Sequence, residues 1–597
     1  MKSLMSGNEA IARGAYEHGV RFASAYPGTP STEIIEAFAK YDGVYAEWSP
    51  NEKVALEVGI GAALAGAKAL VAMKHVGVNV AADPLFTASY TGTNGALVII
   101  TADDPSLHSS QNEQDNRTYA KFAKLPMLEP ADSQEAKEYI KIAFDISEDF
   151  DTPVFFRTTT RVSHSKSIVS LEKPKSVEDH TGIYFNTAKY VMVPLYARAR
   201  RLEVEKKLQK LKEFADNFSE NKVEMHDPEV GIITAGMSYN YAKDIFPDYS
   251  YLKLGMVYPL PEKLIRKFAS KVKKLYVIEE LDPFIEEQVK AMGIKVTGKE
   301  IFPYTSEFDP GVIEFSLKGE KTGTSRLADV TIPPRPPNLC PGCPHRGLFY
   351  VLGKLKVFVA GDIGCYTLAF MKPLEGLHSC ICMGASIGMA HGMSKALKGK
   401  GKGKVVGVIG DSTFIHSGIT SLLNMSYNKS DAVIVICDNR TTAMTGMQEH
   451  PATGYTLKGE KTRELDFIAL ASALGIESVH VIDPYDLKST RTVLKEELSK
   501  SGPSLVISRR SCVLFKREVK DVQKPLMVDT DLCIGCKTCV SLGCPPISWK
   551  KFEDSGAMER KKRAKKQEGT AFIDSSLCTG CTVCQQLCKA GAIVEVD

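Results

Sequence analysis

Eight of the fifteen cysteines fall in the last sixty-five residues, as Cys533-x2-Cys536-x2-Cys539-x4-Cys544-Pro545 and then Cys578-x2-Cys581-x2-Cys584-x3-Cys588. An x2 spacing lets three successive thiolates reach three corners of one cube while the residues that follow cross to a second. That is close to the pattern that wraps two [4Fe-4S] clusters, the fourth cysteine of each run serving the other run's cluster. One cluster would take Cys533, Cys536, Cys539 and Cys588, and the other Cys578, Cys581, Cys584 and Cys544. The first run carries one residue more than usual before its last cysteine, which predicts a bulge at Val540-Ser541-Leu542-Gly543. Lys589 stands where the second run would usually have proline. Zinc sites pair two CxxC units and have no need of eight thiolates in this order.

The remaining composition is ordinary. A chain of 597 residues should hold three to five domains. With 44% hydrophobic and 24% charged residues and a formal net charge of +4, it reads as a globular enzyme with no commitment to nucleic acid. No stretch approaches the ~18 consecutive apolar residues of a membrane span, and no apolar leader precedes Glu9. A cytoplasmic location is therefore expected, where cysteines go to metals or chemistry rather than disulfides. The basic run from Arg560 to Lys566 is either a steering patch for an acidic electron carrier or a solvated loop.

Short apolar strands alternate with Gly/Ala-rich helical stretches over residues 1–165: Phe22 to Tyr26, Val54 to Ala67 as helix, Leu70 to Met73, Leu97 to Ile100 and Pro153 to Phe156. This predicts a doubly wound parallel α/β sheet. Residues 166–225 read as a polar connector with a charged helix near Arg198 to Phe218. Residues 226–325 form a second α/β unit with strands at Gly231 to Thr234 and Leu275 to Ile278. The proline run Ile332 to Pro337 marks a boundary. A third α/β domain, residues 326–522, follows with strands at Val357 to Ala360, Val405 to Ile409, Ala432 to Ile436 and Leu505 to Ile507. Residues 523–597 hold the cysteine tail.

In the third domain Gly410-Asp411-Ser412 directly follows a buried strand, and another apolar strand ends in Asp438-Asn439. This resembles the thiamine diphosphate fingerprint, Gly-Asp-Gly closed by Asn-Asn, with Ser412 for glycine and Asp438 for the first asparagine. A hard Mg2+ bridging diphosphate and protein needs oxygen ligands, which two neighbouring strand ends can supply. Asp411 and Asn439 are the expected side-chain ligands, and the resemblance adds the Thr441 carbonyl. Thr445 follows closely, and Gly384 precedes in a stretch of small residues that a cofactor can approach. A thiamine enzyme also needs a carboxylate at the pyrimidine ring, to favour the imino tautomer that takes the C2 proton. Glu52, opening a helical stretch, suits that role; Glu57, one turn on, carries the same group.

Thiamine chemistry beside a two-cluster tail resembles the 2-oxoacid:ferredoxin oxidoreductases, whose first domain carries Tyr-Pro-x-Thr-Pro-Ser. Tyr26-Pro27-Gly28-Thr29-Pro30-Ser31 stands in that place, and counting back from Gly61 to Gly66 selects Glu52. The resemblance implies that Thr29 and His75 line the substrate end. It also implies that Cys340, Cys343, Cys365 and Cys512 ligate a third [4Fe-4S] cluster, with Cys380, Cys382 and Cys437 left as buried small hydrophobes. The implied architecture is a pyrimidine-binding thiamine-type domain, a connector, a transketolase C-terminal-like domain, a diphosphate-binding domain and a ferredoxin-like 2[4Fe-4S] domain. The implied reaction is oxidative decarboxylation of an aryl pyruvate, indolepyruvate type, with coenzyme A, giving an aryl acyl-CoA and CO2 and reducing ferredoxin. A smaller β subunit in an α2β2 assembly is implied. A branched-chain or phenylpyruvate substrate stays open, as does an electron-transfer subunit whose thiamine site is vestigial.

Overall fold

A computed structural model describes residues 1–175, 182, 184–319, 336–397, 403–519, 523–552 and 567–596. Residues 332–335 of the proline boundary and the basic run 560–566 lie outside them. The chain divides into two compact units, one drawn from Met1–Val330 with Leu457–Gly459, the other from Thr331–Thr456 with Glu460–Asp597.

The first unit is built on a seven-stranded sheet in the order Met256–Tyr258, Met127–Leu128, Val154–Thr159, Ala96–Asp103, Lys68–Lys74, Phe22–Ala25, Tyr45–Trp48. Every pairing is parallel except that of the edge strand Met256–Tyr258. Side chains alternate between two cores: Ala69, Val71, Met73, Leu97 and Ile99 enter one, Leu70, Ala72, Val98 and Ile100 the other. Both faces are thus covered, which is why these strands read as unbroken apolar runs rather than alternating ones. A four-stranded sheet follows, ordered Lys274–Ile278, Asp227–Ala235, Tyr249–Leu254, Lys222–Glu224, its last strand antiparallel.

Residues 166–225 are more than a connector. Lys166–Ser170 pairs antiparallel with Lys2–Ser6, and the Leu171 amide continues the ladder to the Met1 carbonyl at 2.7 Å. The charged helix, Pro194–Asp216, buries Val204, Leu208, Leu211 and Ala215 at helical spacing.

The second unit centres on a five-stranded parallel sheet ordered Phe358–Ala360, Val405–Gly410, Val433–Asp438, Ser504–Arg509, Ser478–Ile482. One of its two cores takes Val406, Val408, Val433 and Val435 and continues into Leu526, Leu542, Ala571, Val583 and Ile593 of the cysteine tail. The tail itself has two antiparallel ribbons, Leu526–Val528 with Ile593–Glu595 and Ile547–Lys551 with Gly569–Ile573. Among the described residues no helix is long and apolar enough to cross a membrane.

Candidate active site and cysteine centres

The tail ribbons hold the cysteine runs as two interleaved sets. One cavity, about 380 Å³ with part of it open to solvent, is lined by Cys533, Cys536, Cys539 and Cys588. A second, about 270 Å³, is lined by Cys544, Cys581 and Cys584, and Cys578 stands close enough to both Cys544 and Cys584 to disfavour their ionisation. Each set therefore draws its fourth cysteine from the other run. The extra residue of the first run is absorbed in a 3-10 turn, Val540–Leu542, closed by Gly543 at φ +62°, where a side chain would run into Pro373. Cys536 is partly neutralised from outside: the Thr538 hydroxyl donates to its Sγ at 3.4 Å and lowers its pKa, with Lys589 adding to the effect.

Cys340, Cys343, Cys365 and Cys512 also meet. Cys343 faces Cys365 and Cys340, and Cys365 faces Cys512 and Cys340. Burial pushes the Cys343 thiol up to about 12 and that of Cys365 to about 11, so both stay protonated at neutral pH without a metal to hold the thiolate. Among the described residues no three His, Cys, Asp or Glu side chains converge tightly enough for a single metal ion. A cubane, with iron and sulfide of its own between the thiolates, takes a wider space than a single ion, such as the cavities of the two tail sets. Of the other three, Cys437 is buried and Cys380 half-buried, but Cys382 is exposed. The expectation that all three are buried hydrophobes is corrected for Cys382, which sits in the turn ahead of Gly384.

That turn is set by Asp362, which is fully buried. Its carboxylate accepts the backbone N–H groups of Ile363 (2.8 Å), Gly384 (2.9 Å) and Ser386 (3.0 Å). Burial nevertheless raises its pKa to about 6. Gly384 is left-handed at φ +89°, and a Cβ there would lie 2.5 Å from that of Ser417. Tyr366, beside Cys365, accepts the Gly410 N–H at 3.0 Å and donates to the Ile363 carbonyl at 3.1 Å. Asp362 and Tyr366 stand in the stretch Gly361-Asp362-Ile363-Gly364-Cys365-Tyr366 that the resemblance shares, but their roles are not legible from the sequence.

At the carboxyl edge of the five-stranded sheet, the register that sets Gly410 opposite Cys437 puts Asp411 next to the Asp438-Asn439 turn. Asp411 accepts the N–H of Ser412 at Oδ1 and of Arg440 at Oδ2, both at 2.8 Å. The Asn439 amide head lies 2.9 Å from the Thr441 carbonyl oxygen and 3.2 Å from Asp411 Oδ2. With its nitrogen inward it donates to both; with its oxygen inward it completes a three-oxygen cradle of the kind a hard cation takes. Arg440 makes the turn at φ +66°. Ser412 Oγ accepts from the Thr442 hydroxyl at 3.0 Å, Thr445 donates to Gln448 at 2.6 Å, and His450 Nε2 stands 3.4 Å from Asp411 Oδ2. The Cys512 N–H donates to the Asn439 carbonyl at 3.0 Å, tying this turn to the four core cysteines.

The first unit carries the other candidates. Glu52 begins the helix Glu52–Leu64 behind the N-cap Asn51, whose side chain accepts the Val54 N–H at 2.9 Å. A carboxylate there complements the helix dipole. It is 5% exposed and packs on Gly77, where an added Cβ would lie 2.7 Å from Oε1. Glu57 lies on the exposed side, paired with Lys53. His75 is buried, with Nε2 3.1 Å from the Asn112 carbonyl oxygen, and burial beside Lys74 lowers its pKa. Lys74, pulled down to about 8 by burial, donates to the Ser109 carbonyl at 2.6 Å, and the Ser109 hydroxyl donates to the Thr29 carbonyl at 3.3 Å. Thr29, Lys74, His75 and Glu52 thus belong to one cluster of strand ends and helix starts.

Residues 13–227 match the family described as pyruvate flavodoxin/ferredoxin oxidoreductase, thiamine diphosphate-binding. Residues 362–508 match the C-terminal TPP-binding domain of thiamine pyrophosphate enzymes, and residues 532–592 the 4Fe-4S dicluster domain. These matches, on this fold, define a thiamine-diphosphate-dependent oxidoreductase with an iron-sulfur dicluster domain. An indolepyruvate oxidoreductase subunit IorA from Archaeoglobus fulgidus is 42% identical over 92% of each chain, and one from Pyrococcus horikoshii is 42% identical with the same coverage. Its counterpart in Methanothermobacter thermautotrophicus is 39% identical over 99% of this chain and 97% of its own. The chain belongs to this IorA family.

Proposed function

We propose that this chain, with a smaller β subunit in an α2β2 assembly, carries out the oxidative decarboxylation of an aryl pyruvate of the indolepyruvate type. Coenzyme A takes the acyl group, CO2 leaves, and two electrons pass singly to ferredoxin. The observation that carries the reading is the Cys512–Asn439 hydrogen bond, which joins the oxygen-rich turn of Asp411, Asn439 and Thr441 to the cluster of Cys340, Cys343, Cys365 and Cys512.

The residues suit the groups the reaction requires. Asp411, Asn439 and the Thr441 carbonyl would hold Mg2+, because three oxygens meet there and Asp411 is buried with backbone donors on both of its oxygens. Gly384, Gly410, Ser412 and Thr445 would line the diphosphate. Cys340, Cys343, Cys365 and Cys512 would hold a third [4Fe-4S] cluster beyond the two in the tail. When bound, thiamine diphosphate supplies the electron sink for losing CO2, and iron-sulfur clusters supply one-electron acceptors of low potential.

Glu52 would share a proton with the pyrimidine nitrogen; its buried place against Gly77 keeps water from competing for that contact. His75, kept largely neutral by burial, and Thr29 would orient the 2-oxoacid. Asp362 would hold the Gly384 turn in shape through three backbone N–H bonds. Replacing Glu52→Gln should cut CO2 release by roughly 10²–10⁴-fold while leaving the iron-sulfur absorption unchanged; retained turnover would remove Glu52 from the mechanism. Anaerobic turnover of a panel of 2-oxoacids with the β subunit present, read as ferredoxin reduction, tests the substrate. Preference for a branched aliphatic 2-oxoacid would overturn the aryl reading.

A further inference from the structure

Arg346 follows the Cys340-Pro341-Gly342-Cys343 turn and is 3% exposed. Its NH1 donates to the carbonyls of Leu542 (2.8 Å) and Gly543 (2.7 Å) in the tail. NH2 donates to those of Leu339 (2.6 Å) and Cys340 (3.4 Å) in the core turn. All four acceptors are neutral, Nε makes no hydrogen bond, and among the described residues no carboxylate lies within ion-pair distance. A guanidinium cannot shed its proton, and a buried charge is tolerated only opposite a counter-charge. The cavity that Arg346 lines offers a place for that counter-charge: beside Gly342, Leu542 and Val583, its walls include Cys343 from the core set and Cys544, Cys581 and Cys584 from the tail. The two sets meet closely here, since a Cβ on Gly342 would lie 2.1 Å from the Thr579 hydroxyl. A cubane on four thiolates is a net anion, and one held by these cysteines would face this cation.

We propose that Arg346 is a positioning residue for electron transfer. Its fixed positive charge, set in the wall between the core cysteines and the tail set of Cys544, Cys578, Cys581 and Cys584, raises the reduction potential of the clusters on either side. Among the described residues the cavity of Cys533, Cys536, Cys539 and Cys588 has no buried cation; Lys537, half exposed, and Lys589, exposed beside Cys536, are screened by water. In the step concerned, one electron supplied by oxidation of the 2-oxoacid leaves the core cluster and enters the adjoining tail cluster. No bond forms or breaks, and Arg346 keeps its proton throughout. The inference rests on the proposed presence of clusters at these cysteine sets.

The test is a redox titration of the anaerobically purified protein, followed by electron paramagnetic resonance, on wild type, Arg346→Gln and Arg346→Lys. Arg346→Gln should move the midpoints of the clusters beside it to lower potential, while the cluster on Cys533, Cys536, Cys539 and Cys588 keeps its own and serves as internal reference. Arg346→Lys, which keeps the charge and loses the fork, should titrate like wild type. Unchanged midpoints in iron-replete Arg346→Gln overturn the proposal, as does an Arg346→Lys shift as large as that of Arg346→Gln. If Arg346→Gln loses its iron, Arg346→Lys decides alone: a wild-type midpoint supports the role of charge, and a displaced one overturns it. Wild-type protein without iron-sulfur absorption would overturn the cluster reading and this proposal together, whereas clusters with indifferent midpoints overturn only the latter.

Discussion

Asp438 and Arg509 are register partners on adjacent parallel strands, and Arg509 Nε donates to Asp438 Oδ2 at 2.7 Å. Asp438 is 1% exposed, its Oδ1 has no partner, and burial together with nearby Asp411 pushes its carboxyl pKa up. The aspartate standing where the thiamine fingerprint has asparagine thus comes with its own cation. Arg509→Gln should cost about 1–3 kcal/mol, toward the lower end because the arginine is partly exposed. Asp438→Asn in the same background should recover most of the loss. Urea denaturation of the four proteins of this cycle measures the coupling, and additive losses would separate the two residues.

Gly77 leaves no room for a methyl group beside the Glu52 carboxyl. Gly77→Ala should displace that carboxylate and slow decarboxylation by on the order of 10²-fold, with iron content unchanged. Thiamine diphosphate titration of the variant checks the direction: affinity should fall together with rate.

Three sets of four cysteines predict about twelve irons per chain, four to each cubane. Cys512→Ser should lower the count to about eight while the tail clusters keep their spectra. A wild-type count of about eight would remove the core cluster.

Glu280 is buried with its carboxylate on the Phe308 N–H at 2.7 Å, and burial raises its pKa from 4.5 to about 7. A group whose folded pKa is raised binds its proton more tightly in the folded state. Its stabilising contribution is therefore full below about pH 4.5 and is lost as pH climbs to 7. Relative to Glu280→Gln, the wild type should lose stability with a slope of up to about 1.4 kcal/mol per pH unit across that window. Urea denaturation at several pH values between 5 and 7.5 reads it directly, and parallel curves for the two proteins would refute it.

What was legible in the sequence was what spacing or unbroken apolar runs encode. The tail cysteines could be sorted into two sets because three of each four follow one another at x2. The buried strands showed because both faces of each sheet are covered. Asp362, Tyr366 and Arg509 were illegible because they act across strands: Asp362 reaches Gly384 and Ser386, Tyr366 reaches Gly410, and Arg509 reaches Asp438. Cys382 read as a small hydrophobe by type, but the turn that Asp362 fastens carries it outward. Lys2–Ser6 lacked any strand signal of its own, being a half-exposed ribbon whose partner lies some 160 residues on.

That ribbon has a consequence for how the protein is made. On the ribosome, Lys2–Ser6 waits without its strand partner until Lys166–Ser170 has emerged, whereas the helix Gly7–Glu17 and the sheet strands between can meet before then. Closing so long a loop is slow compared with forming local contacts. Pairing of the leading residues is thus late relative to the strands between them and Lys166, and an affinity tag fused ahead of Lys2 would burden that step.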